Sequence, residues 1–196
     1  MIKEDIAIVV ENQMQLRSRN SSLAAEIRNK LLDKADGGFR YIDCQLQTIN
    51  GCALPKKVKA ALATLPLDLK DTYDKVIATY KSEEDLEDIY HLFIWLLYSF
   101  EPVCISQVAT ILSFDLKLQT VESDTELLAR LETIIDNTLV TVDHKNIVQF
   151  AHASVKEWLL QNQEDNHNRK IFNINAHLAH NIVKLSSART GANDSY

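Results

Sequence analysis

Turn-forming residues are scarce in this chain of 196 residues, which has only four glycines and three prolines. A sandwich or barrel needs many tight turns, and glycine and proline supply the backbone conformations of such turns. Hydrophobic residues make up 46% and charged residues 24% of the chain, as in an ordinary globular protein. The composition therefore favours helices joined by short connections, arranged as one large domain or two small ones.

The chain also lacks an excess of basic residues, a long apolar run and a secretory leader. Its formal charge is −6, whereas a nucleic-acid surface needs a concentrated basic footprint. The longest apolar run, residues 93–100, is far shorter than the roughly 20 residues that span a bilayer. Glu4 and Asp5 interrupt the amino terminus, where a signal peptide would be apolar. We expect a cytoplasmic protein that binds neither nucleic acid nor a membrane.

Patterns typical of metal sites and disulfides are missing as well. Cys44, Cys52 and Cys104 are widely spaced and no CxxC pair occurs, which predicts buried thiols in a reducing compartment. His177 and His180 have the one-turn spacing of two metal ligands on a helix. No cysteine or carboxylate completes a ligand pattern around them, so we predict no metal site.

Apolar residues recur at helical spacing over most of the chain. The pattern predicts helices at 3–18, from the serines at 21–22 towards Gly37, and at 39–49, 55–65, 68–80, 83–99, 105–114, 124–139, 152–161 and 172–187. Gly37 and Gly38 would end the second helix, because glycine adopts the left-handed backbone without a steric penalty. Ser106 and Asp124 would cap the helices that start beside them.

The hydrophobic period changes at residues 139–150. Two β-branched runs flank the polar residues 143–146, which predicts a β-hairpin. Three of the predicted helices precede this hairpin, an order typical of a winged-helix domain. We therefore predict a mainly α fold, in which a helical bundle at 1–82 is followed by a winged-helix domain at 83–162 with a small hairpin wing. Residues 163–196 would form a C-terminal helix and tail.

Five blocks of sequence spread over nearly the whole chain carry a family resemblance. They are KADGGFRYIDCQL at 34–46, LATLPLDLKDTYDKVI at 62–77, FIWLLYSFEPVCISQVATIL at 93–112, LVTVDHKNIVQFAHASVKEWLL at 139–160 and FNINAHLAH at 172–180. Their order and spacing resemble the region that follows the nucleotide-binding core in fungal NACHT proteins. Those proteins are STAND-type signalling NTPases and often carry ankyrin or WD repeats. The winged-helix part also resembles a family named after GPI inositol-deacylase, without implying a hydrolase here.

The resemblance implies a helical lid at 1–82 and a winged-helix domain that closes over bound nucleotide. Such a module would couple the nucleotide state of an NTPase core to domain opening. ADP or ATP would be held by the core, because this sequence has no GxxxxGK[ST] loop and no Walker B acid after an apolar strand. We therefore expect a fragment or truncated product that is not an enzyme and binds no cofactor by itself. Its expected partners are the core, other domains of the parent protein or a second copy, which would cover Trp95 and Trp158 near helix surfaces.

His152 is the first candidate site residue, and it lies where the wing is followed by a helix. The resemblance implies that a histidine here contacts the β-phosphate of ADP in the closed state. An imidazole donor at a helix N-terminus suits an anion, since the helix dipole also favours negative charge there. The alternative is a structural cap, supplied by His152 or by Ser154, and the cap is favoured for the chain without a core. Ala153 replaces the aspartate that follows the histidine in plant relatives.

Gly37, Gly38 and Phe39 are the second candidate set. They match the place where many relatives contact adenine through a Gly-x-Pro motif, and Phe39 stands where the proline would be. A helix stop is the alternative role for the two glycines.

Two other functions have weaker sequence support. Ser154 beside His152 could suggest nucleophilic catalysis, but no GxSxG elbow or orienting acid accompanies the pair. Winged helices often bind DNA through their third helix. Here that helix carries four acids and a single arginine, Arg130, and such a face would repel phosphates.

Overall fold

The structure, a computed structural model, describes residues 2–14, 21–35, 38–112, 114–115, 120–121 and 135–161. The helices among these residues are α1 (Ile2–Met14), α2 (Ser21–Lys34), α3 (Phe39–Gly51), α4 (Pro55–Ala63), α5 (Leu69–Ile77), α6 (Glu83–Tyr98), α7 (Ile105–Leu112) and α8 (Ala153–Gln161). The strands are β1 (Val103–Cys104), β2 (Phe114–Asp115), β3 (Thr120–Val121), β4 (Val140–Val142) and β5 (Ile147–Phe150). This confirms the predicted fold class, a helical bundle followed by a winged helix.

The chain divides into two compact units, residues 1–75 and 76–196. In the first unit α1 and α4 each pack against both α2 and α3. Ile6, Val10, Leu31, Ile42 and Leu46 are fully buried between these helices. Residues four apart share one helix face, and burying each such side chain contributes about 1.5–3 kcal/mol. The predicted domain limits at 82/83 and 162/163 stay predictions.

Polar side chains hold the connection between α4 and α5. Three of them donate to three successive backbone carbonyls: Lys75 Nζ to Thr64 at 2.9 Å, Lys34 Nζ to Leu65 at 2.9 Å and Tyr41 Oη to Pro66 at 2.8 Å. Backbone carbonyls in a connection have no partner within a helix or a strand ladder and need one from elsewhere. The three donors satisfy these groups and fix the path of the chain into α5.

The starts of two helices differ in how well the sequence predicts them. Either Asp68 or Asp71 has a side chain suited to cap α5, and Asp68 does so, since its Oδ1 accepts from the backbone N–H of Asp71 at 2.8 Å. Ser106 does not cap α7, because the helix begins one residue earlier, at Ile105. Gln107 Oε1 accepts from the backbone N–H of Cys104 at 2.7 Å. That bond is half of a capping box and makes Cys104 the residue before the helix.

In the second unit α6 is the central helix, as its apolar sequence predicts. Ser82 caps it by accepting from the backbone N–H of Glu84 at 3.2 Å. The helix packs against α7 and β5, and Ile89, Leu92 and Phe93 are fully buried. The ring of Phe93 lies 5.9 Å from that of Phe150, centroid to centroid, and so joins the helix to the wing.

The sheet contains the predicted hairpin and one strand that was not predicted. β4 and β5 are antiparallel, with Val142 opposite Val148. β1 pairs with the other edge of β5, with Val103 opposite Val148, so the order is β1-β5-β4. The antiparallel pair of β2 and β3 was not predicted either. Strands of two residues are too short for a period to be visible in the sequence.

Some predictions fail or lie outside the described residues. The helix predicted at 124–139 is wrong at its end, since residues 135–139 form a turn in which Asp136 Oδ1 accepts from the N–H of Thr138 at 2.7 Å. Trp158 was expected near a surface but is 4% exposed. Asp124, the rest of that helix, and the helix predicted at 172–187 with both of its histidines lie outside the described residues.

Candidate functional site

His152 occupies the single position between the wing and the helix that follows it. The wing closes just before it, where the N–H of Ala151 donates to the carbonyl of Leu139 at 2.9 Å. α8 begins directly after it and buries Val155 and Trp158 in the second unit. With both neighbouring elements anchored, the backbone of His152 is fixed while its side chain is exposed.

The imidazole of His152 caps α8. Its Nδ1 accepts from the backbone N–H of Ser154 at 3.1 Å and lies 2.7 Å from Ser154 Oγ. The carbonyl of His152 accepts from the N–H of Val155 at 3.1 Å. These bonds reproduce the geometry of an N-cap residue, whose side chain satisfies one of the unpaired N–H groups of the first turn.

The cap determines which nitrogen of His152 carries the proton. A ring nitrogen that accepts a hydrogen bond has no proton, so the neutral imidazole has its N–H at Nε2. In the described part of the chain no side chain or carbonyl accepts from Nε2. His152 can therefore cap the helix through one nitrogen and donate to an external acceptor through the other. The two roles expected of it are chemically compatible.

The same geometry is poor for hydrolysis. Ser154 Oγ is within hydrogen-bond distance of a histidine nitrogen, as in a serine hydrolase. A catalytic histidine, however, is oriented by an acid at its second nitrogen, and within the described ranges no carboxylate bonds to Nε2 of His152. The pair serves the helix start.

Gly38 of the second candidate set differs from the expectation. Gly38 has φ −89° and ψ 103°, so the left-handed conformation predicted for it is wrong. It precedes α3 in extended backbone, and its N–H donates to the carbonyl of Ala35 at 2.6 Å. A Cβ at position 38 would lie 3.3 Å from that carbonyl oxygen. A larger residue at position 38 would therefore crowd the carbonyl that follows α2. Gly37 lies outside the described residues.

Phe39 is the first residue of α3 and is 47% exposed. A ring with half of its surface in water can stack on a planar ligand. Phe39 and Gly38 belong to the first compact unit, whereas His152 belongs to the second. The nucleotide contacts expected of all these residues stay predictions.

Sequence analysis missed the residues that shape the wing and the start of α7. Asp143 Oδ1 accepts from the N–H groups of Lys145 and Ile147, at 2.8 and 2.9 Å. These bonds, that of Ile147 first, hold the pKa of Asp143 below its usual range. Hydrogen bonds from the side chain and backbone of Ser106 likewise lower the pKa of the Cys104 thiol. The start of α7 could have been predicted from the spacing of Cys104 and Gln107, which fits a capping box.

Two absences apply to the described residues alone. None of their helices is both long enough and apolar enough to cross a bilayer. Nor do they contain three or more His, Cys, Asp or Glu side chains grouped to hold a metal ion.

The comparisons with known proteins agree with the arrangement of α6, β1, α7 and the wing. Residues 87–171 match the family model described as "GPI inositol-deacylase, winged helix domain". The chain contains a winged-helix domain. This domain is not a catalytic fold in itself, and the deacylase name belongs to the family. Neither the curated proteins nor the solved structures include one that matches this chain.

Proposed function

We propose that this chain is a non-catalytic regulatory module of a NACHT-type STAND signalling NTPase. Its winged-helix domain would sense ADP held by an NTPase core and favour the closed state of the protein. A ligand shifts such an equilibrium only through contacts that differ between the two states. A histidine that reaches the phosphate in the closed state alone would supply such a contact.

The geometry of His152 carries the proposal. Nδ1 is occupied by the cap, so Nε2–H is left as an exposed donor beside the first turn of α8. That turn also offers the partial positive charge of a helix N-terminus. A phosphate oxygen is an acceptor of the right charge for this place. One imidazole alone is a weak site, and ADP should bind the isolated chain with a Kd above about 1 mM.

Two substitutions separate the cap from the donor. His152→Ala removes both and should reduce the stability of the isolated chain by about 1 kcal/mol. His152→Ser keeps a capping oxygen and removes the imidazole donor, so the stability should stay close to that of the wild type. Urea unfolding of the three proteins measures this difference.

The functional test uses the same pair in a protein that joins an NTPase core to this region. ADP retention should fall in both variants, because both lack the Nε2 donor. If His152→Ser retains ADP like the wild type, the histidine serves only as a cap and the proposal fails. Micromolar ADP binding by the isolated chain would also contradict it, because the site would then be complete without a core.

The DNA-binding alternative rests on the fold alone, and no observation on the described residues favours it. A complex with duplex DNA that weakens as salt is added would revive it.

A further inference from the structure

The N-terminal half of α4 carries three positive charges. Lys56, Lys57 and Lys59 are all exposed, and α4 buries only Val58 and Leu62. Most of the surface of this nine-residue helix therefore faces solvent. Lys56 and Lys59 are three positions apart and so lie on one face of α4, while Lys57 lies farther around the helix.

This placement opposes the electrostatics of the helix. The N-terminus of a helix carries partial positive charge, so lysines there are unfavourable and carboxylates favourable. α4 has no acid in its first turn and no side-chain cap. α6 in the same chain has three acids in its first turn and a serine cap. Residues that break a local rule of stability without compensation are most often found at functional surfaces.

Compensation from neighbouring acids is also lacking. Three other cations of the first unit form ion pairs: Arg28 with Glu11 at 3.0 Å, Lys30 with Glu26 at 3.4 Å and Arg40 with Asp43 at 2.7 Å. Within the described residues, no carboxylate lies within 4.0 Å of the three α4 lysines. Their charges are therefore available to a ligand from outside.

An exposed apolar residue precedes these lysines in the chain. Leu54 directly precedes α4 and is 58% exposed. Its backbone is fixed, because its carbonyl accepts from the N–H groups of Lys57 and Val58 at 2.9 and 3.1 Å. We call Leu54, Lys56, Lys57 and Lys59 the α4 surface. The α4 surface combines one exposed apolar residue, whose backbone is fixed, with three cations.

We propose that the α4 surface docks an acidic polypeptide segment that carries an apolar side chain beside its carboxylates. The formal charge of the whole chain is −6, so a long duplex or a membrane would meet repulsion beyond the patch. A short segment meets only the patch, since fields are screened beyond about 8 Å at physiological salt. One leucine also offers too little apolar surface to anchor a chain in a bilayer. This surface lies in the first unit, and its role does not depend on nucleotide sensing.

The test measures binding of a labelled glutamate-rich peptide with a single leucine to the full chain, by fluorescence anisotropy at physiological salt. The triple variant Lys56→Glu, Lys57→Glu, Lys59→Glu should weaken binding about tenfold or more. A matched control changes three other exposed lysines that have no ion pair among the described residues, as Lys70→Glu, Lys81→Glu, Lys156→Glu. The control alters the net charge equally and should bind like the wild type.

Two further measurements distinguish a loss of peptide binding from a loss of folding. The α4 variant should be as thermally stable as the wild type or more so, because glutamates suit a helix N-terminus. Leu54→Ser should weaken the leucine-containing peptide but not an all-glutamate peptide of equal charge. Equal losses in the α4 variant and the control would overturn the proposal. So would the absence of peptide binding, or tighter binding of phosphatidylserine vesicles or duplex DNA.

Discussion

The two units of this chain use polar side chains in different ways. In the first unit they join elements that are distant in sequence: Lys34 and Tyr41 reach the connection after α4, and Gln45 Nε2 donates to Thr72 Oγ1 at 3.0 Å between α3 and α5. In the second unit the side-chain bonds that shape the wing and the helix starts span two to four residues, as at Asp143 and His152.

The difference separates two ways of making a fold specific. A bundle of short amphipathic helices can slide or rotate on an apolar core, and long-range hydrogen bonds with buried partners favour one arrangement. A winged helix already has a sheet register that fixes its strands. Its polar side chains are then available to set exact ends for short elements. Substitutions in the first unit should therefore affect global stability, and those in the second should act locally.

Breaking the buried bond between α3 and α5 should have the largest effect. Gln45 and Thr72 are 3% and 6% exposed. Thr72→Val leaves the Gln45 amide without that partner inside the protein, which should reduce the free energy of unfolding by about 1–3 kcal/mol. Urea unfolding measures the loss. Thr72 Oγ1 also donates to the carbonyl of Asp68, four residues earlier, at 2.7 Å. Thr48→Val is the matched control for that second bond, because Thr48 Oγ1 donates to the carbonyl of Cys44 at 3.1 Å and Thr48 is exposed.

A double substitution tests the same pair more directly. Gln45→Met removes the buried amide at similar volume. If the bond is the cause, Gln45→Met with Thr72→Val should lose less stability than the sum of the single losses. If the two single losses of stability add up to that of the double variant, Gln45 and Thr72 act separately. The long-range hydrogen bond would then not be what distinguishes the first unit.

Removing the phenol of Tyr41 should have a smaller effect that depends on pH. Tyr41→Phe loses the bond to the Pro66 carbonyl and should cost about 1 kcal/mol near neutral pH. Burial, followed by the nearby Asp68, raises the pKa of Tyr41 from 10.0 to about 12. A raised pKa in the folded state stabilises the protein below pH 10, and this contribution is lost as the pH rises towards 12. The stability difference between wild type and Tyr41→Phe should therefore shrink over that interval in urea titrations. A difference that is constant with pH would contradict the raised pKa of Tyr41.

The sequence predicted elements whose residue pattern is long. It did not predict two-residue strands or contacts between residues that are far apart in sequence. The helix starting at Pro55, the central helix after Ser82 and the wing around residues 143–146 follow from periods and turn residues that are visible in the chain. β1 has two residues, and only its pairing with β5 makes it a strand. The hydrogen bonds of Tyr41 and Gln45 could not be predicted, because they depend on which helices become neighbours. For His152, the sequence predicted both candidate roles, but only the geometry showed that they use different nitrogens.

Asp143 offers the most local test of the comparison. Its carboxylate accepts from two N–H groups across the wing turn, and Asn146 there has φ 63°, a conformation that asparagine tolerates better than most residues. Since the bonds lower the pKa of Asp143 from 3.8, its contribution is present above that pH and is lost as the pH falls further. Asp143→Ala should speed amide exchange at Ile147 in NMR spectra, while the buried amides of α6 stay protected. Asp143→Asn keeps an acceptor oxygen and should exchange less than the alanine variant. Faster exchange throughout α6 in Asp143→Ala would instead make the wing turn a global element of the second unit, and the contrast with the first unit would then be wrong.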